Sequence, residues 1–186
     1  MFTEDGNWTW NDDPTNPPSY FSWAEGEPNI NPDADTNYVQ IQQDYASYTA
    51  TWFVPEDQTD TNYYICQSPK IPNSQITRNS TTVSTTAETS TPSHALTCMP
   101  GYNDIVPSSG KCYYISIDKN VTTWDDAFSQ CNDMMKWDYN VDYTLENTQL
   151  VSINSEDEND QLFQQLYDMN IQSVWIGLSW NGKKIV

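Results

Sequence analysis

A stretch rich in serine and threonine divides the chain and limits what the sequence can fold into. Residues 75–93 read QITRNSTTVSTTAETSTPS, and this composition lacks the apolar residues needed to bury a core. Such a stretch is typical of a flexible linker or a mucin-like stalk. The chain of 186 residues is therefore interpreted as two segments, 1–69 and 98–186, joined by a linker over residues 70–97.

The chain is strongly acidic, and this limits its partners. It carries 26 Asp and Glu residues against 7 Lys and Arg, which gives a formal net charge of −19. A surface of this charge repels phosphate groups, so we expect neither nucleic acid nor anionic lipid as a partner. No stretch approaches the roughly 18 apolar residues that a membrane-spanning helix needs, so we expect no membrane span in this chain.

The cysteines and the glycosylation signals indicate an extracellular or secreted protein. Four cysteines suit two disulfide bonds in an oxidising compartment. Zinc is the weaker alternative, because the sequence contains no CxxC pair and its only histidine, His94, lies in the linker. Three sequons predict N-linked glycans at Asn7, Asn79 and Asn120. The first residues, MFTEDG, have neither a basic nor an apolar region, so no signal peptide is predicted there.

Short strands are predicted in both segments. In the first segment, apolar or alternating residues indicate strands over 38–41, 51–54 and 63–66, separated by turns rich in Asn, Asp and Pro. No amphipathic helix is visible in that segment. In the second segment, similar patterns predict strands over 113–117, 150–153 and 174–178.

Two amphipathic helices are predicted in the second segment. Thr122 or Thr123 is suited to cap a helix that continues to residue 135, with an apolar face of Trp124, Ala127, Phe128 and Cys131. Asn154 or Ser155 is suited to cap another helix, with an apolar face of Leu162, Phe163, Leu166 and Met169. Acids fill the first turn of this second helix, where they favour the helix dipole: Glu156, Asp157 and Glu158.

The order of these motifs resembles the C-type lectin domain family. CMPGYNDIVPSSGKCYYI is similar to the disulfide hairpin that opens the long form of that domain, TTWDDAFSQC to its first helix, and VWIGLSWNGKK to its central strand. In the first segment, WTWNDDPTNPPSYFSWAEGEPNINPDADTNYVQI resembles the stretch that follows the central strand, and TWFVPEDQTDTNYYICQ the closing strands. The resemblance implies an α+β, C-type lectin-like fold with mixed short strands and two helices, present here as two partial domains.

The two partial domains occur in the order C-terminal half, linker, N-terminal half. The favoured interpretation is a piece of a tandem array, which contains the end of one domain and the start of the next. The alternative is a circularly permuted domain, in which residues 1–69 and 98–186 complete each other. The family's bonding pattern implies a local Cys98–Cys112 disulfide, and in the permuted arrangement it also implies Cys66–Cys131.

The resemblance also implies a binding site at Glu27-Pro28-Asn29. Family members place calcium-ligating Glu and Asn side chains there, separated by a proline that is normally cis. Calcium favours carboxylate and amide oxygens. The implied metal ligands are Glu27, Asn29 and Asp35, with Asp33 as an alternative to Asp35. Glu27 and Asn29 would also contact the sugar, and the Glu-Pro-Asn order implies a preference for mannose-type glycans or glycoproteins.

A departure from the family pattern keeps a second function open. Sugar-binding members follow a strand tryptophan with Asn-Asp, whereas Phe53 and Val54 follow Trp52 here and supply no side-chain oxygen. Glu56 or Asp57, beyond Pro55, is the substitute source of such oxygens. The alternatives to a calcium-dependent lectin are therefore a calcium-independent C-type lectin-like interaction domain and an incomplete, non-binding piece.

Catalysis is not expected. The histidine lies in the linker, and no G-x-S-x-G motif occurs. The paired acids lie in acid-rich loops or at helix starts, where solvation and the helix dipole explain them. We therefore predict a binding protein rather than an enzyme.

Overall fold

A computed structural model describes residues 8–31, 36–44, 48–72, 96–138 and 148–181. Within these ranges the chain forms a mixed β-sheet and two α-helices, which confirms the predicted α+β class. The strands are β1 (Trp8–Trp10), β2 (Thr36–Asp44), β3 (Thr49–Phe53), β4 (Tyr63–Pro69), β5 (Ile71–Pro72), β6 (Leu96–Thr97), β7 (Lys111–Ile115), β8 (Gln149–Leu150) and β9 (Ser173–Asn181). The helices are α1 (Trp124–Asp138) and α2 (Glu156–Asp168).

Strands from both segments are interleaved in one seven-stranded sheet. The sheet runs β3-β2-β9-β4-β7, while β1 pairs with β9 and β8 pairs with β4. Strand β9, near the end of the chain, therefore lies between β2 and β4 of the first segment. Its pairing with β4 is parallel, and its pairings with β1 and β2 are antiparallel. The two segments therefore contribute strands to one sheet within a single chain.

The ends of the linker lie side by side. Strands β5 and β6 form a separate two-stranded sheet, in which Ile71 pairs with Thr97 and Pro72 with Leu96. The linker therefore joins two neighbouring strands, although most of its residues, including His94, lie outside the described ranges.

Both helices begin close to the predicted positions. Helix α2 begins after Ser155, whose hydroxyl accepts a hydrogen bond from the Glu158 amide at 3.2 Å. At the start of α1, the Thr123 hydroxyl accepts from the Asp126 amide at 3.4 Å. The predicted apolar faces point inward. Their buried members are Trp124, Ala127, Cys131, Leu162, Phe163 and Leu166, while Phe128 and Met169 are partly buried against them.

The apolar core contains residues of both segments. The larger cluster combines Trp10, Ile41 and Trp52 of the first segment with residues of the second such as Ile153, Leu162 and Ile176. Because burial of apolar surface is the main favourable term in folding, neither segment can complete this core without the other.

Two disulfide bonds are present. Cys98 is joined to Cys112 within the second segment, and Cys66 is joined to Cys131 between the segments. These are the pairs that the family resemblance implies for a permuted domain. Among the described residues, no helix is long and apolar enough to cross a membrane.

The side chain of Gln43 is buried without hydrogen bonds among the described residues. It is 4% exposed on β2, and neither atom of its side-chain amide has a hydrogen-bond partner in the described part of the chain. A buried amide without partners costs about 1–3 kcal/mol. Gln43→Met keeps the length of the side chain, and we expect it to raise the free energy of unfolding by about 1–2 kcal/mol, measured by urea denaturation.

Gln40 provides the matched control for this substitution. It is also 4% exposed on β2, but its side-chain oxygen accepts a hydrogen bond from Asn62 at 3.0 Å. Gln40→Met should therefore destabilise the protein. Stabilisation by both substitutions, or by neither, would contradict this explanation.

Candidate functional site

The Glu27-Pro28-Asn29 loop is attached to strand β3 at its base. The Trp52 amide donates to the Ser22 carbonyl at 2.6 Å, and the Ala24 amide donates to the Trp52 carbonyl at 2.9 Å. The Glu27 amide then donates to the Ala24 carbonyl at 3.0 Å, which closes a turn. Gly26 has a φ of +88° in this turn, a conformation that favours glycine. The sequence GEPN therefore forms a tight loop whose base is fixed by the sheet.

One oxygen of the Glu27 carboxylate is hydrogen-bonded to the backbone of its own loop and to the backbone just after strand β3. Oε2 accepts hydrogen bonds from the amides of Asn29 and Val54, each at 2.9 Å. The Glu27–Pro28 peptide bond is cis. Asn29 is exposed, and Glu27 is partly exposed. The structure thus brings the two predicted ligand residues together on an accessible loop.

An aromatic cluster supports the loop from below. Trp23 packs edge-on against Trp52 with ring centroids 5.9 Å apart, and Phe21 stacks on Trp23 at 5.8 Å. Trp52 is fully buried, and its indole nitrogen donates to the Asn159 side chain of α2 at 2.9 Å. Residues of the second segment therefore help to hold the loop of the first. Trp23 itself is partly buried and packs against the core.

The other predicted metal ligands do not join this pair. Asp33 and Asp35 lie outside the described residues. Asp57 is exposed, and its Oδ1 accepts hydrogen bonds from the amide and hydroxyl of Thr59. These bonds lower the pKa of the Asp57 carboxyl below its ordinary value. Among the described residues, no three His, Cys, Asp or Glu side chains are grouped so that they could hold a metal ion.

Of the predicted glycosylation sites, one lies in the described part of the chain. Asn120 is exposed in the connection between β7 and α1. The next residues of its sequon are tied to the first segment, because Thr122 exchanges backbone hydrogen bonds with Asn62 at 2.9 Å. Asn7 and Asn79 lie outside the described residues.

Sequence reasoning missed a polar network between β7 and α2. The Lys111 ammonium donates to Glu158 Oε1 at 2.9 Å and to the Ser152 carbonyl at 2.5 Å. The Tyr113 hydroxyl donates to the same Glu158 oxygen at 2.8 Å. Burial raises the pKa of this hydroxyl far above its ordinary value, so Tyr113 remains a donor. Glu158 was expected only to favour the helix dipole, but its side chain is 4% exposed and forms an ion pair.

Local sequence offered one signal for this network. Lys111 precedes a run of apolar strand residues. In so acidic a chain, a basic residue beside such a strand indicates an ion pair with a carboxylate. The identity of that partner depends on how β7 meets α2, which no local pattern encodes.

Comparisons of the chain with family models, with curated proteins and with solved structures returned no match.

Proposed function

We propose that the chain is a carbohydrate-binding module of the C-type lectin-like class and that it binds its ligand at Glu27 and Asn29. The observation that carries this proposal is the difference between the two oxygens of the Glu27 carboxylate. Oε2 holds two backbone amides, whereas no hydrogen bond to Oε1 occurs among the described residues. One oxygen thus fixes the loop, and the other remains for a ligand beside the exposed Asn29.

The chemistry of this pair suits a sugar with neighbouring hydroxyl groups. A hydroxyl donates to the Glu27 carboxylate, and the next hydroxyl accepts from the Asn29 side-chain amide. Hydrogen bonds to a charged carboxylate are stronger than neutral ones, which favours this arrangement on an open loop. Following the family resemblance, we propose a mannose-type preference and glycans or glycoproteins as partners.

The proposal includes a calcium ion that is bound by both the protein and the sugar. The side-chain oxygens of Glu27, Asn29 and Asp35 would contribute to its coordination, with sugar hydroxyls completing the shell. Their chemistry fits, because carboxylate and amide oxygens are the ligands that calcium prefers. The ion would fix the positions of the two hydroxyls, while the protein orients Glu27 through the amides of Asn29 and Val54.

A mannose resin tests this proposal. We expect the wild-type protein to bind in the presence of calcium and to elute with a chelator. Glu27→Gln removes the charge, and we expect binding about 10-fold to 100-fold weaker, the effect of losing one or two charge-assisted hydrogen bonds. The control is Glu25→Gln in the same loop, at an exposed position two residues away, which should bind like the wild type. Wild-type protein in the flow-through would contradict a mannose-binding site.

A second candidate function is favoured by the residues after Trp52. Phe53 and Val54 stand there, Val54 is buried, and its amide is bound to Glu27. A loop held in this way needs no ion to keep its shape, which suits a calcium-independent interaction domain. Binding to glycoproteins that persists in chelator would favour this function over the first.

A further inference from the structure

A compact polar cluster lies where the two segments meet, away from the Glu27 loop. It consists of Asp12 and Gln67 of the first segment and Ser152 of the second. The Ser152 hydroxyl donates to Asp12 Oδ2 at 2.8 Å, and the Gln67 side-chain nitrogen donates to the same oxygen at 2.7 Å. The Ser152 hydroxyl oxygen also lies 3.2 Å from the Gln67 side-chain oxygen. A hydroxyl, an amide and a carboxylate are therefore within hydrogen-bond distance of one another.

Two donors complete the cluster. The Ser152 backbone amide donates to the Gln67 side-chain oxygen at 3.0 Å, where it would stabilise negative charge developing on that oxygen. The Lys111 ammonium lies 3.2 Å from the Ser152 hydroxyl oxygen, where it would favour loss of the hydroxyl proton. The other carboxylate oxygen, Asp12 Oδ1, is buried without a hydrogen-bond partner in the described part of the chain. This arrangement has a nucleophile, a base and an oxyanion donor.

We propose that Ser152 and Gln67 form an ester bond, which joins the two segments covalently. Ser152 Oγ attacks the side-chain carbonyl carbon of Gln67 while Asp12 accepts the hydroxyl proton. The carbonyl electron pair moves onto Oε1, beside the Ser152 amide. When the carbonyl re-forms, the carbon–nitrogen bond of Gln67 breaks. Asp12 passes its proton to Nε2, which leaves as ammonia, so the reaction needs no cofactor or oxidant.

Proximity and burial favour this reaction over hydrolysis. Ser152 is 2% exposed and Gln67 is 8% exposed, so water has little access to the new ester. Holding nucleophile and carbonyl in one geometry gives the large advantage of an intramolecular reaction. Asp12 is only partly buried, which leaves ammonia a short route to solvent. Its escape makes the bond formation one-way.

Mass spectrometry of the folded, full-length protein tests the proposal. After reduction and alkylation, trypsin should yield peptides 1–70 and 137–183 as one species, with a mass lower than their sum by that of ammonia. Hydroxylamine, which cleaves esters, should separate them. Two separate peptides with an intact Gln67, or with Gln67 deamidated to glutamate, would overturn the proposal.

Variants distinguish the ester from any other linkage. Ser152→Ala removes the nucleophile and should yield separate peptides. Asp12→Asn keeps the shape of the side chain but removes the base, and should slow or abolish the cross-link. The control is Ser116→Ala, at a buried serine whose oxygen accepts from the Tyr64 amide, and it should retain the cross-link. A cross-link that survives in Ser152→Ala would also overturn the assignment.

Discussion

In the Ser152→Ala background, where the proposed ester cannot form, replacing both Cys66 and Cys131 by alanine is expected to lower the free energy of unfolding by about 4 kcal/mol, the loop-entropy value for a bond that spans 65 residues. The bond restricts the unfolded chain strongly because its cysteines lie far apart in sequence. It also joins β4 of the first segment to α1 of the second, and both cysteines are fully buried. Urea denaturation of the oxidised protein measures this loss.

The second disulfide provides the control. The Cys98–Cys112 bond spans 14 residues within one segment, so the same reasoning predicts a loss of about 3 kcal/mol for its removal. This pair should be removed in the same Ser152→Ala background, so that the two losses are compared without the proposed ester. An equal or larger effect of the short bond in that background would contradict the loop argument.

Lys111→Met is expected to destabilise the protein by about 3 kcal/mol, because it leaves the buried Glu158 carboxylate without its cation. The Lys111 side chain is 18% exposed and that of Glu158 is 4% exposed, so solvent screens this ion pair poorly. The control is Lys70→Met. Lys70 pairs with Asp104 at 2.8 Å, and its side chain is 10% exposed, but the Asp104 side chain is 46% exposed. Because solvent can still hydrate that carboxylate, we expect a smaller loss, of about 0–1 kcal/mol.

A double variant separates the loss of charge pairing from the loss of packing. Lys111→Met/Glu158→Gln removes both charges but keeps an oxygen that can accept from the Tyr113 hydroxyl, and part of the lost stability should return. Equal losses in the two lysine variants would show that the buried pair contributes no more than the exposed one. A double variant less stable than Lys111→Met would exclude an unpaired Glu158 charge as the cause.

The elements that could be predicted from sequence are those whose signals are local. Helix α2 is an example, since its cap Ser155 and its stripe of Leu162 and Leu166 lie within a short stretch of chain. The strand predicted over 63–66 extends in the structure to Pro69, because pairing with β7 continues to that residue. By contrast, the strand predicted over 150–153 is limited to Gln149–Leu150, where β4 is available as its partner.

Features that depend on long-range pairing could not be predicted. Strand β1 was not expected, because three residues carry too little periodicity, and it exists through its pairing with β9. The same limit applies to the candidate site. The motif located Glu27 and Asn29, but the hydrogen bond from the Val54 amide depends on how the loop meets β3. The Asp12, Gln67 and Ser152 cluster is formed by residues distant in sequence, so only the fold brings it together.

The two segments complete each other within one chain, and disulfide mapping of the monomer tests this arrangement. In the Ser152→Ala protein, where the proposed ester cannot form, trypsin without reduction should release peptides 1–70 and 120–136 joined through Cys66 and Cys131. It should also release peptides 79–111 and 112–119 joined through Cys98 and Cys112. We predict both linkages in monomeric protein separated by size. Monomer in which Cys66 and Cys131 are free thiols, or in which they are joined to other cysteines, would contradict the claim.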